Sequence, residues 1–240
     1  MLSIKGLVGG WGPTVVVEGV DLLLAEGETL AIIGRNGVGK TTLLELITGR
    51  ARRRAGEILL HGSDISSSPI HRRAHAGIGH VPQQREVFRS LTVDEHLLVA
   101  ARPGPWDQQR VFELFPSLAN RRSSLGSQLS GGEQQMLAIA RALVGNPCVL
   151  LMDEPSEGLA PVVIDEMIEA MRLLTQSKTL SILLVEQRVD LAQQLADRFA
   201  VMDRGQITHR GRICELEDHR RLAELVGLTT ADTGHALNVA

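Results

Sequence analysis

Residues 29–49 read TLAIIGRNGVGKTTLLELITG, and this stretch decides the fold. The apolar run TLAIIG (29–34) lacks polar alternation, as strands buried on both faces do. KTTLLELITG (40–49) reads as a helix, with Gly49 placed as its C-terminal stop. Between them, Gly34-Arg35-Asn36-Gly37-Val38-Gly39-Lys40-Thr41 satisfies G-x-x-x-x-G-K-[ST] in full, in the strand-to-helix context that a phosphate-binding loop requires. Glycines let backbone N–H groups converge on phosphate oxygens, and the amino end of the helix adds positive potential. Lys40 can bridge β- and γ-phosphates, and the Thr41 hydroxyl can coordinate Mg²⁺. Only three lysines occur in the chain.

The surrounding composition narrows the class. The chain has 240 residues, 43% of them apolar, with 25 basic and 28 acidic side chains for a net charge of −3. That length predicts one large domain, or one with a small subdomain. Near-balanced charge argues against a nucleic-acid partner, and six aromatics with no tyrosine argue against stacking platforms for single strands. Cys148 and Cys214 are too few for a disulfide framework or a zinc site, so a reducing compartment fits. No apolar run approaches the ~18 residues of a membrane span, and the N-terminus lacks a secretory signal. The expectation is a soluble chain, able to dock on a membrane protein.

Short apolar runs alternate with helical stretches, which predicts an α/β fold. VDLLLA (20–25) reads as a strand joined to 29–34 by the turn Glu26-Gly27-Glu28. GEILLHG (56–62), CVLLMDEP (148–155) and SILLVEQ (181–187) read as further strands. PVVIDEMIEAMRLL (161–174) reads as a helix with apolar positions at 164, 167, 168, 171 and 174 and a proline in its first turn. Residues 198–213 read as a terminal hairpin about Gly205. MLSIKGLVGG alternates like a strand, giving N-terminal antiparallel β elements. From about 84 to 145 the pattern is helical without a confident strand, predicting a helical subdomain inserted in the α/β core. Thr92-x-x-Glu95 and Ser130-x-x-Glu133 match the reciprocal capping box at helix starts. The tail 228–240 reads as flexible.

Two further motifs carry chemistry. Val149-Leu150-Leu151-Met152-Asp153-Glu154 delivers Asp153 at a strand's carboxyl end, where α/β sites collect ligands. Two acids after a strand are often only a solvated strand end; following a phosphate loop, Asp153 reads as an Mg²⁺ ligand and Glu154 as the group that polarises the attacking water. In Leu129-Ser130-Gly131-Gly132-Glu133-Gln134-Gln135, Ser130 caps a helix whose N-terminal amides face out. Gly131 and Gly132 would let that end approach a phosphate, as a second anion site. Outside this company the same residues would be an ordinary capped helix.

These motifs together resemble the ATP-binding-cassette (ABC) transporter ATPases over about residues 2–227. The resemblance implies a P-loop NTPase core, ATP and Mg²⁺ as cofactors, and ATP hydrolysis coupled to transport. It implies catalytic roles for Glu154, Gln187 and Lys40, and a metal set of Thr41, Gln83 and Asp153. The implied nucleotide-binding residues are Trp11, Gly34, Arg35, Asn36, Gly37, Val38, Gly39, Lys40, Thr41, Thr42 and Gln83, with Ser130, Gly131 and Gly132 presented to the other cassette's ATP. Gln83 in HVPQ matches the glutamine that touches Mg²⁺ or γ-phosphate, and Trp11 the aromatic that stacks on adenine; Trp11 could instead pack on the sheet edge. The implied partners are a second cassette, identical or different, two membrane permease subunits and, indirectly, an extracytoplasmic solute-binding protein. The implied location is cytoplasmic, on the inner face of the cell membrane.

Two departures stand out. The family's switch histidine is replaced in Val185-Glu186-Gln187, and no histidine occurs between His96 and His209. Gln187 can donate a hydrogen bond to γ-phosphate but cannot titrate or carry positive charge. The loop Ser156-Glu157-Gly158-Leu159-Ala160 carries alanine where the family usually has aspartate. SEGLAP, LLVEQ, LTVDEHL and QLSGGEQQMLAIARAL resemble the ATPase subunits of branched-chain amino-acid importers, with urea and short-chain amide importers as the alternative and a catalytically weak cassette behind both. Cassette proteins of DNA repair or translation would need coiled-coil insertions or a second cassette, for which there is no room. The cluster Arg50, Arg52, Arg53 and Arg54 reads as a solvated loop past a helix end, and His71 and His75 as an exposed helix rather than a metal pair.

Overall fold

A computed structural model of the chain describes residues 1–176 and 178–217. Two sheets form its frame. An antiparallel sheet runs in the order β2-β1-β4-β5, from β1 (Leu2–Trp11), β2 (Thr14–Leu24), β4 (Arg52–Leu60) and β5 (Ser63–Asp64). A six-stranded sheet runs β10-β9-β3-β8-β7-β6. Its members are β3 (Thr29–Ile33), β6 (Ile78–Val81), β7 (Val149–Asp153), β8 (Ser181–Glu186), β9 (Arg198–Asp203) and β10 (Gln206–Arg212). All its pairings are parallel except β9 with β10. The fold is α/β, as the alternating pattern predicts.

The uninterrupted apolar runs follow from burial on both faces. In β7, Val149 and Leu151 join one core with Leu30, Ile32, Leu183 and Val185, covered by α1 (Lys40–Thr48) and the antiparallel sheet. Leu150 and Met152 point the other way, into a core shared with α6 (Gly131–Leu143) and α7 (Pro161–Gln176). In β3, Ala31 and Ile33 face α8 (Val189–Leu195).

Between β6 and β7 the chain forms α3 (Val93–Ala100), α4 (Gln108–Leu114), α5 (Pro116–Ala119), a 3₁₀ turn at 126–128 and α6. The one strand-like pairing there among the described residues is the isolated bridge Thr92–Leu125. Both capping boxes are formed: the Thr92 hydroxyl accepts from the Glu95 N–H, and the Ser130 hydroxyl from the Glu133 N–H. Val93, Leu97, Val111, Phe115 and Leu118 share one core with Leu150, Met152, Ile182 and Leu184, joined through α6. These helices therefore rest on the sheet's own core.

Some sequence expectations shift. The Arg52–Arg54 cluster lies within β4 rather than in a loop, with Arg52 opposite Gly10 and Arg53 opposite Gly9 of β1. Its guanidiniums stay outside the core and bond backbone: Arg53 to Ser66 O and Gly56 O, Arg54 to Gly12 O and Pro13 O. The strand read as 20–25 starts at Thr14, because the exposed face of β2 tolerates Thr14, Glu18 and Asp21. β6 and α8 escape a sequence reading: one is four residues interrupted by Gly79 and His80, the other is seven residues without a side-chain cap. The hairpin about Gly205 is formed by β9 and β10. His71 and His75 lie exposed on α2 (Ile70–His75). The stretch 228–240 lies outside the described residues. No helix among the described residues is long and apolar enough to cross a membrane.

Candidate active site

Four strands of the six-stranded sheet carry the candidates at or just beyond their carboxyl ends. The 34–39 loop follows β3, Gln83 follows β6, Asp153 and Glu154 end β7, and Glu186 and Gln187 end β8. Gly39 precedes α1 with φ 109°, a left-handed value that glycine adopts without strain, and it makes no side-chain cap. The α1 amino end thus keeps its N–H groups for an outside acceptor. Gly34 is required for a different reason: a Cβ there would stand 2.4 Å from Met202 O of β9. Arg35, Asn36, Gly37 and Thr41 are exposed along the loop, while Val38 is half-buried and Thr42 buried.

Lys40 is 4% exposed. Its Nζ donates to Gly34 O at 2.8 Å and Arg35 O at 3.0 Å, and pairs with Glu154 Oε1 at 3.0 Å. The other Glu154 oxygen accepts from Gln187 Nε2 at 2.7 Å. Glu154 sits at φ 44°, a left-handed conformation for a non-glycine residue, and its N–H bonds Val185 O of β8. The three catalytic candidates therefore form one contiguous cluster, in which Glu154 is held from both sides.

Thr41 Oγ1 donates to Asp153 Oδ1 at 3.2 Å. Burial pushes the Asp153 carboxyl up to about 6; the Thr41 hydrogen bond and the Lys40 charge pull it down, and neighbouring Glu154 adds to the rise. A pair of hard oxygen donors, one of them a buried carboxylate short of positive charge, fits a divalent cation such as Mg²⁺. Gln83 is not gathered with them: it is exposed, and its Nε2 donates to Glu157 Oε2 at 2.5 Å. Trp11, 49% exposed at the end of β1, reaches the start of α1, where its Nε1 donates to Thr42 Oγ1 at 3.4 Å.

Ser130, Gly131 and Gly132 form the amino end of α6, and among the described residues none hydrogen-bonds to the 34–42 stretch. Gly131 is exposed, but Gly132 is buried, and a Cβ there would stand 2.7 Å from Val163 Cγ1 of α7. The missing side chain at Gly132 is thus also required for packing against α7, beside the phosphate approach expected of it. Arg85 bridges this end to the loop after β7, its Nε donating to Gln135 Oε1 at 3.1 Å and its Nη2 to Glu157 O at 3.3 Å.

Sequence reasoning passed over Arg85, Glu157 and above all Glu186, which is 2% exposed between the Glu154 and Gln187 loops. Its signal was available as a carboxylate closing the otherwise apolar run SILLVE. Ala160 offers no polar side chain and accepts from the first-turn amides of α7 through its carbonyl.

Residues 17–157 match the family model described as ABC transporter. A branched-chain amino acid transport ATP-binding protein of Pseudomonas aeruginosa, BraG, is 37% identical, covering 86% of this chain and 91% of that one. A lipopolysaccharide export system ATP-binding protein of Haemophilus influenzae, LptB, is 33% identical, covering 88% and 90%. A solved structure of an ATP-binding subunit of an ABC transporter superposes with a TM-score of 0.78 at 29% identity, covering 97% of each chain.

Proposed function

The chain belongs to the ABC transporter ATPase family, whose members hydrolyse ATP and work as dimers with membrane permeases, and on that premise we propose that it drives import of branched-chain amino acids. SEGLAP, LLVEQ and LTVDEHL support the branch, together with the 37% identity to BraG. The likeness to LptB favours a second reading, export of a lipopolysaccharide; the urea and amide importers are a third. In each case the chain would sit at the cytoplasmic face of the membrane, with a second cassette facing Ser130, Gly131 and Gly132 and, for import, an extracytoplasmic solute-binding protein acting through the permeases.

The observation that carries the mechanism is the Glu154 carboxylate held between Lys40 and Gln187. Phosphoryl transfer leaves the protein mainly positioning and charge stabilisation. Loop amides at 34–40 and Lys40 would cradle the phosphates, with Lys40 exchanging Glu154 and its backbone acceptors for phosphate oxygens. Glu154, freed from Lys40, would orient the attacking water and take its proton, and Gln187 would keep its carboxylate aimed. Thr41 and Asp153 would hold Mg²⁺, which when bound neutralises charge on the phosphates. Gln83 would join them only by leaving Glu157. The intact Asp153–Glu154 pair weighs against a catalytically weak cassette.

Reconstitution with its permeases and partner cassette in ATP-loaded vesicles, with the solute-binding protein outside, tests the cargo. Uptake of labelled leucine driven by ATP, absent with labelled urea, is the expected result. Hydrolysis proceeding without leucine uptake would remove the importer assignment.

A further inference from the structure

Glu186 is the one buried carboxylate at this site to which the mechanism above gives no role. It is 2% exposed, and among the described residues it makes no ion pair. A buried carboxylate without a cation persists only where hydrogen bonds satisfy it. Glu186 Oε1 accepts from the Ser156 N–H at 3.2 Å, and Oε2 from the Gln187 N–H at 3.2 Å. These donors come from two segments: Ser156 lies two residues beyond Glu154, and Gln187–Arg188 is the segment whose side chain holds Glu154. A single carboxylate thus ties the two loops that must meet at the attacking water.

We propose that Glu186 is a positioning residue for hydrolysis, bracing the loop that carries Glu154 against the loop that carries Gln187. The geometry explains why a carboxylate is needed. The Ser156 N–H takes one of its oxygens and the Gln187 N–H the other, a demand that a carboxylate meets with acceptors alone. An amide of the same shape would turn its NH₂ toward one set of donors and release that loop. Glu154 is already in a left-handed conformation, so a released loop has a more relaxed alternative to move to. The brace acts through Glu154 and Gln187 and has no contact with nucleotide of its own. It rests on the reading of Glu154 as base, which Glu154→Gln tests separately by whether hydrolysis survives.

The experiment uses the full chain, with Glu186→Gln and Glu186→Asp, each alone and combined with Gln187→Ala. ATPase kcat and KM are measured beside the affinity for a non-hydrolysable ATP analogue. Glu186→Gln is expected to lower kcat roughly 10- to 100-fold, the scale of a small misplacement of reacting groups, with analogue affinity within about twofold. Glu186→Asp, which keeps both acceptor oxygens but shortens their reach to the Ser156 N–H, should lower kcat in the same direction by about threefold. With Gln187→Ala present, the further loss from Glu186→Gln should shrink to less than about threefold, because the two act on one carboxylate. Wild-type kcat in Glu186→Gln would overturn the proposal. So would an undiminished loss on top of Gln187→Ala, or a matching loss of analogue affinity. Should Glu186→Gln fail to fold, Glu186→Asp and its combination with Gln187→Ala carry the same decision.

Discussion

Replacing Glu154 by glutamine separates the two tasks that the structure gives this side chain. Glu154 holds Lys40 with a charge-assisted contact of 3.0 Å, while Lys40 keeps two neutral backbone acceptors. ATP must draw Lys40 away from that carboxylate before phosphate can use it. Lys40 stays charged in the variant, so Glu154→Gln removes only the ionic part of the contact, and at about 1 kcal/mol, the upper end for an exposed pair, the competing contact weakens by that much. That corresponds to roughly fivefold tighter binding of a non-hydrolysable ATP analogue. The same change removes the base, which typically costs 10²–10⁴ in rate. Analogue titration by calorimetry and steady-state ATPase read the two effects separately. Hydrolysis within about tenfold of wild type would refute the base assignment. Weaker analogue binding would refute the competition between Glu154 and phosphate.

Lys40→Ala should lower ATP affinity at least about tenfold, the worth of one charge-assisted phosphate contact, and undiminished binding in calorimetry would count against the loop. Arg73 is buried and donates to four backbone carbonyls, two of them (Leu46 O, Ile47 O) at the end of α1. Arg73→Ala should therefore cost about 3 kcal/mol, a Tm drop of roughly 6–12 °C by calorimetric scan. His80 has a buried Nε2 without a partner among the described residues, and burial, helped by Arg50 and opposed by Glu86, pushes its pKa from 6.5 down to about 4. The unfolded chain then binds a proton that the folded chain refuses, so stability should fall as pH drops from about 6.5 toward 4. Denaturant titrations of His80→Leu across that window should show a flatter decline than wild type; an unchanged slope would mean that His80 is protonated in the fold.

Signals confined to a few consecutive residues were legible in the chain by itself. The phosphate loop, both capping boxes, the buried runs 29–33, 149–153 and 181–186, and the helix read over 161–174, which runs on to Gln176, all appear where their spacing put them. Each is specified by local geometry: turn chemistry, a reciprocal cap, or a run too apolar to face water. The pairing of Asp153 with Thr41 was foreshadowed too, since a strand's carboxyl end beside a phosphate loop has few other uses. Contacts between segments far apart in sequence needed the fold. No spacing rule says that Gln83 is spoken for by Glu157, that Gly132 is occupied by Val163, or that Arg52–Arg54 continue a strand because Gly9 and Gly10 lie opposite. Glu186 shows the division most clearly. Its burial could be guessed from the strand that it ends, but its purpose appears only when the parallel pairing of β7 and β8 sets Ser156 and Gln187 on either side of one carboxylate. Hydrogen bonds are short-ranged and directional, so which donors a buried acid finds is decided by tertiary register.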